Sequence, residues 1–366
     1  MSATQREAPA VEPPTDVPAL SDGVTGRALR ALRLPLFALP ATALAFGAPA
    51  AWLAAAGVSW LVVAVLTIAA LAFVIASLLT AHLYGMWLRP AARLLAEQPW
   101  RRAAVTVFRP ARGRTPLLVT EPDGTRHALV AVALPWAVQQ VFARTGRVWL
   151  VGPDAGGWVA LRSSGLALPL GAARVTAADV ASGYEVEVAQ PAPVRAPVAA
   201  ADAVVSRLIA GPRRRSRTEL IAPTVLLVFA GVVIADLLGR DFAGELLELT
   251  LFVLLATLLL AGLLAWRVRK VRYWAKVDRM LGVGGWTPVP ATLAESAVDG
   301  GPRTVTAQAV VAGRTVPVTL PRASQALRAN VAGTGKLWVA GVPAPGAEAV
   351  AGLPGYPYLN LARFGP

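Results

Sequence analysis

The apolar and polar positions of this chain fall into blocks that occur twice. Four nearly unbroken apolar runs cover residues 36–53, 58–83, 220–238 and 246–266. Each is near or above the roughly 18–20 residues that a helix needs to cross about 30 Å of hydrocarbon, and none carries a charge at its centre. The pattern predicts four transmembrane helices in two hairpins. Pro40, Gly47 and Pro49 interrupt the first run; such residues are tolerated in a membrane where neighbouring helices or water satisfy the freed backbone groups.

A basic amphipathic extension follows each hairpin, at residues 84–100 and 271–286, with Pro90 expected to break the first. Valine-rich alternation with the period of a half-buried strand comes next. In the first copy it predicts strands at 103–109, 117–121 and 126–134, a helix at 135–144, and strands at 148–151 and 158–162. Pro122-Asp123-Gly124 is a hairpin signal. In the second copy the strands are 291–296, 304–311 and 315–320, the helix 322–331, and the last strands 336–340 and 347–351. Residues 358–363 read as an added edge strand. The order β-β-β-α-β-β matches a five-stranded OB-like barrel, with an SH3-like barrel as the alternative. The fold class is therefore an α+β membrane protein: four transmembrane helices in two hairpins, each followed by a small cytoplasmic five-stranded β-barrel-like module.

Tryptophans fix the duplication. Trp100 and Trp286 are offset by 286 − 100 = 186, and Trp149 and Trp338 by 338 − 149 = 189. Two anchors with nearly one offset imply a repeated architecture with a three-residue insertion between them. The expected domains are a disordered tail (1–26), a first hairpin with its juxtamembrane helix (27–99), a first β module (100–189), and a linker with a basic juxtamembrane segment (190–217). A second hairpin (218–285) and a second β module (286–366) complete the chain.

Charge then sets the orientation. The formal net charge is +14, against a hydrophobic fraction of 55% that excludes an ordinary soluble chain. Arginines flank the outer ends of the hairpins: Arg27, Arg30 and Arg33, then Arg89, Arg93, Arg101 and Arg102, then Arg213, Arg214, Arg215 and Arg217. Six more cations lie between Arg267 and Arg279. Positive flanks stay in the cytoplasm, which predicts a multi-pass protein of a bacterial plasma (inner) membrane with both termini inside. The first 26 residues lack the basic start and short apolar core of a cleavable signal peptide.

Little chemistry is written in the motifs. The chain has no cysteine and only two histidines, His82 and His127, which excludes thiolate sites and a His-rich metal centre. Residues 330–338 imitate part of a phosphate-binding loop, but Asn330 and Leu337 break the pattern, and the order helix–turn–strand is the reverse of what that loop needs. No catalytic, cofactor-binding or metal-binding residue is assigned. Membrane-interface anchoring is expected of Trp87, Arg89, Arg93, Trp100, Tyr273, Trp274, Arg279 and Trp286, because rings and guanidinium groups suit the headgroup layer. Asp236 and Glu248, near the outer turn of the second hairpin, are the candidates for an ion or proton site. Arg101, Arg102, Arg109, Arg112 and Arg114 form a basic patch, best explained by anionic lipid and only weakly by nucleic acid. The expected role is a non-catalytic, membrane-anchored binding or scaffold protein whose partners are inner-leaflet lipids and a protein or a second copy. A transporter or channel component built from the helices is the alternative, and a membrane-bound enzyme comes third.

Overall fold

The computed structural model describes residues 11–55, 60–109, 114–132, 134–166, 172–175, 185–187, 196–211, 224, 227, 245–293 and 304–366. They form two compact units. One comprises Met1–Leu32, Gly85–Leu208 and Val277–Pro366; the other comprises Arg33–Tyr84 and Ile209–Lys276.

The first unit contains two closed barrels. Barrel 1 is built from β1 (Arg101–Val107), β2 (Arg114–Thr120), β3 (Arg126–Val132), β4 (Arg147–Val151), β5 (Trp158–Arg162) and β6 (Ala172–Val175), with helix α3 (Trp136–Thr145) between β3 and β4. Barrel 2 repeats this with β7 (Trp286–Leu293), β8 (Val305–Val311), β9 (Arg314–Leu320), β10 (Lys336–Ala340), β11 (Glu348–Gly352) and β12 (Leu359–Phe364); its helix, Gln325–Thr334, lies between β9 and β10. The strand orders are β1-β2-β3-β6-β5-β4 and β10-β11-β12-β9-β8-β7.

Six strands close each barrel, not the five expected. The pairings explain the need for the sixth. β1 is antiparallel to β2 and β4, which makes β3 and β5 run in the same direction. β6 fits between them antiparallel to both, so every ladder is antiparallel. Residues 358–363, expected as an edge, likewise close barrel 2 between β11 and β9. Full closure removes the exposed edges that would otherwise template aggregation.

Local sequence sets the turns. Ala312 and Gly313 both have positive φ (49° and 77°), the two-residue turn whose twist suits a hairpin. Gly146 and Gly335 end the two barrel helices in the left-handed conformation, donating to the carbonyls of Phe142 and Val331. The apparent phosphate loop is this helix stop. Burial alternates strictly along β8 and along β1 from Arg102 onward, as a barrel wall requires, whereas the last four residues of β4, β5, β10 and β11 are all buried.

The second unit is helical. Helix α1 (Gly23–Ala55) runs on from the first unit and stays helical through Pro35, Pro40 and Pro49, so the expected interruption is absent. Helix α2 (Trp60–Glu97) likewise continues through Pro90. Gly47 explains itself: a Cβ there would stand 3.7 Å from the Cβ of Ala70, and Phe46 stacks on Phe73 with ring centroids 5.7 Å apart. A small residue lets α1 and α2 approach closely. Of the run at 220–238 only Thr224 and Leu227 are described, both helical. Residues 203–211 form α4 and Glu245–Leu281 form α5; the helix of barrel 2 is α6. Among the described residues one helix, Gly23–Trp52, is long and apolar enough to cross a membrane, or two if a bent pair in α2 counts as one span. N-terminal signal sequences pass the same test.

Candidate functional site

The barrels are joined to the helix ends by a clamp that occurs in both copies. The turn Ala19–Ser21 precedes α1 and the turn Ala199–Ala201 precedes α4. Each turn donates one backbone hydrogen bond to the chain leaving the hairpin: Ala19 N–H to the Gln98 carbonyl (2.9 Å) and Ala199 N–H to the Gly284 carbonyl (2.8 Å). An aspartate caps each following helix. Asp22 accepts from the Val24 and Thr25 amides, and Asp202 from those of Val204 and Val205. Such caps satisfy amides that would otherwise lack partners.

Helix faces complete the clamp. Thr25, Ala28 and Leu29 are buried on the incoming helix of the first copy, and Val204 and Val205 on that of the second. On the outgoing helices Leu88, Ala91, Leu94 and Leu95, and Val277 and Leu281, are buried at spacings of three and four. The juxtamembrane extensions thus turn an apolar stripe toward the interior of the barrel unit.

Two expectations change as a result. Within the tail expected at 1–26, of which residues 1–10 lie outside the described residues, Pro13 and Ala19 are buried, Val11 is half-buried and Pro18 bridges to Pro99. The linker expected at 190–217 is docked from residue 196 to Asp202, where Ala199 and Asp202 are buried. Both segments are rich in proline and alanine and have no periodicity. They owe their order to the barrels, which is why composition suggested none.

The two copies differ at one charge. Asp22 Oδ2 accepts from Arg162 Nη1 at 2.7 Å, and Arg162 is only 3% exposed. Arg162 also donates to Thr25 Oγ1 (2.8 Å) and to the Leu166 carbonyl (2.8 Å). Burial pushes the Asp22 carboxyl up, but hydrogen bonds from Thr25 and Arg162, the Arg162 charge and the Val24 amide outweigh it and hold the carboxyl below its ordinary value. The residue at the end of β11 in barrel 2 is Gly352, where a Cβ would stand 3.0 Å from the ring tip of Trp286. With glycine at that position, Asp202 accepts from the Gly355 amide at 2.5 Å. Burial pushes its carboxyl up, against hydrogen bonds from Gly355, Val205 and Val204 and the charge of Arg144.

The barrels meet at a seam with pseudo-twofold logic. Gly165 and Gly355 are equivalent positions (355 − 165 = 190), each with positive φ (73° and 79°), in the loops after β5 and β11. The helix of the opposite barrel donates to each carbonyl. Asn330 Nδ2, from α6, reaches the Gly165 carbonyl at 2.9 Å; Arg144 Nη1, from α3, reaches that of Gly355 at 3.2 Å. Arg144 also stacks over Tyr356, 5.4 Å from the ring centroid, and Arg207 of α4 lies 4.3 Å from the centroid of Trp136. Exchanged contacts of one kind are the mark of an isologous interface, here between two copies on one chain.

The residues expected at the membrane interface divide. Trp100 (0% exposed), just before β1, and Trp286 (5%), the first residue of β7, are buried within the protein and do not face lipid. Their burial also explains why they recur. Arg93 is exposed and pairs with Asp154 of barrel 1 at 3.4 Å. Trp87 is half-buried and Arg89 exposed; Tyr273 and Trp274 are half-buried in edge contact at 5.3 Å, and Arg279 is exposed. Asp236 lies outside the described residues. Glu248 lies on α5, with its side chain outside them.

The basic patch is dispersed. Arg101 pairs with Glu121 at 2.8 Å, Arg109 with Glu185, and Arg112 lies outside the described residues. Arg102 and Arg114 are exposed strand residues. Glu121 also meets His127 at 2.9 Å, so the pairing hidden in the sequence is structural, tying the ends of β2 and β3 to β1. Among the described residues no group of three His, Asp or Glu side chains could hold a metal ion. Comparison of the chain with protein families, curated proteins and solved structures finds no match.

Proposed function

We propose that this chain is a four-span protein of a bacterial inner membrane, with both termini in the cytoplasm, and that its two barrels form a non-catalytic platform that binds a protein partner. The observation that carries the reading is the clamp. In each copy the segment before a hairpin hydrogen-bonds to the segment after it, so the chain leaves and returns to the barrel unit at one place. Such a base suits a hairpin that dips through a bilayer and presents its barrel on the side it started from. The large apolar side chains exposed on α1, α2 and α5, among them Leu34, Phe37, Trp52, Trp60, Leu78, Leu258 and Trp266, support a lipid surround. Basic helix flanks support an inner-leaflet contact. Two barrels held by polar contacts, with no convergent set of acid, base and nucleophile on the described residues, favour binding over catalysis.

The natural absence of cysteine makes topology directly testable. Single substitutions Arg102→Cys and Gln308→Cys should resist an impermeant maleimide in intact cells, and Gly57→Cys should react. Labelling of the barrel positions from outside would overturn the orientation. For the binding role, photo-crosslinking residues at positions 102 and 308 in native membranes should capture one reproducible cytosolic protein. Adducts with this chain alone would count against a partner.

A further inference from the structure

The pseudo-twofold seam is filled differently on its two sides. On one side Arg144 occupies it: the guanidinium stands where a Cβ on Gly355 would be, donates to the Gly355 carbonyl and covers Tyr356. The position equivalent to Arg144 on α6 is Gly333 (333 − 144 = 189), which brings no side chain. The gap is filled by Val11, whose Cγ2 methyl would collide with a Cβ on Gly333.

The backbone of Val11 is read as well. Its N–H donates to Asn330 Oδ1 at 2.9 Å, and its carbonyl accepts from the Gly165 amide at 3.0 Å. Asn330 is 4% exposed and uses its amide nitrogen on Gly165 and Ala326. One side chain therefore holds the α6 turn, the opposite barrel and the peptide together. Pro13, two residues on, is buried, while Glu12 and Pro14 are exposed. Both main-chain groups bonded, one side chain pocketed and the next pointing outward is how an extended peptide is recognised.

Resting on the platform reading above, we propose that the half of the seam now filled by Val11 is the partner-binding site. The occupant it fits is an extended peptide segment of a partner protein, with a small branched residue two positions before a proline. Residues 11–14 of the chain are an intramolecular stand-in that the partner segment displaces. Only residues 11–17 need move, because the Pro18 bridge and the Asp22 ion pair keep the following turn in place.

The test uses the protein in lipid nanodiscs and a fluorescein-labelled peptide of residues 8–17. A variant lacking residues 2–14 should bind the peptide saturably by anisotropy. The full chain should bind at least about tenfold more weakly, because a short tether holds its own segment at an effective concentration near ~1 mM. Gly333→Val in the shortened variant should abolish binding. No binding up to about 1 mM peptide, or binding insensitive to Gly333→Val, overturns the proposal.

If the shortened variant does not fold, Gly333→Val in the full chain decides. Hydrogen exchange at Val11 and Gly165 should rise at least tenfold with barrel 2 protection unchanged, and no rise overturns the groove. Filling of the seam of the shortened variant by the segment of a full-length copy, seen as a stable mixed dimer, would assign the site to self-association and overturn the partner. Capture of a protein at positions 102 or 308 with no peptide binding would remove the groove and leave the platform standing.

Discussion

Asp22→Ala should release the first clamp, and its cost follows from what Asp22 touches. The substitution leaves the Arg162 guanidinium, 3% exposed, without its counter-charge. Removing one partner of a buried pair costs about 3–5 kcal/mol. Hydrogen bonds from Arg162 to Thr25 and the Leu166 carbonyl remain and favour the lower end of that range. The lost cap over the Val24 and Thr25 amides adds about 1 kcal/mol. The sum, about 4 kcal/mol, corresponds to roughly a 10³-fold change in the opening equilibrium of residues 18–29.

Amide exchange read by mass spectrometry over that segment measures it. The Ala19 amide, bonded to Gln98, should lose protection together with those of Val24 and Thr25. If the buried charge is the cause, Asp22→Ala with Arg162→Met should recover at least half the loss, since an apolar chain of similar length tolerates the site. A change below tenfold, or a double variant no better than the single one, refutes the argument. The effect must also depend on pH. The folded carboxyl lies below its ordinary value of 3.8, so its stabilisation is complete above that value and is lost as pH falls through the folded value. The gap between the natural chain and Asp22→Asn should be constant above about pH 5 and close below about pH 4.

Asp202 should behave with the opposite sign. Burial raises its carboxyl, so the ionised form is a net cost at neutral pH, and the natural chain should gain on Asp202→Asn as pH falls toward 3.8 in thermal melts. Trp100→Ala should cost about 3–5 kcal/mol in denaturant melts of the barrel unit, because the ring is wholly buried; a cost near zero would return Trp100 to the membrane interface. Gly355→Ala places a Cβ at φ +79° against the Arg144 guanidinium. It should cost about 1–2 kcal/mol from backbone strain alone and raise hydrogen exchange in α4; Gly146→Ala, with nothing within 4 Å, should leave α4 exchange unchanged.

The sequence by itself determined the local elements and their duplication. Short apolar runs bounded by turn residues placed β5 and β10 to the residue and most other strands to within a few, although β7 begins five residues before its expected start and β6 was not expected at all. Mismatches at Asn330 and Leu337 and the order helix–turn–strand exposed the false phosphate loop, and paired tryptophans located the copies. These features are legible because they depend on neighbours along the chain: side-chain alternation, left-handed glycines and turn chemistry. Tertiary structure decided the rest. The sixth strand Ala172–Val175 is too short and alanine-rich to announce itself, and it forms because β3 and β5 run in the same direction and leave a gap. Trp100 and Trp286 read as interfacial because they follow basic helix ends, yet tertiary packing buries both. The packing of Val11 and the pairing of Asp22 with Arg162 join residues far apart in sequence, and no periodicity records such contacts. What the duplication could not reveal is where one copy meets the other. There Arg144 fills one half of the seam, and its counterpart Gly333 leaves the other half to residues 11–13.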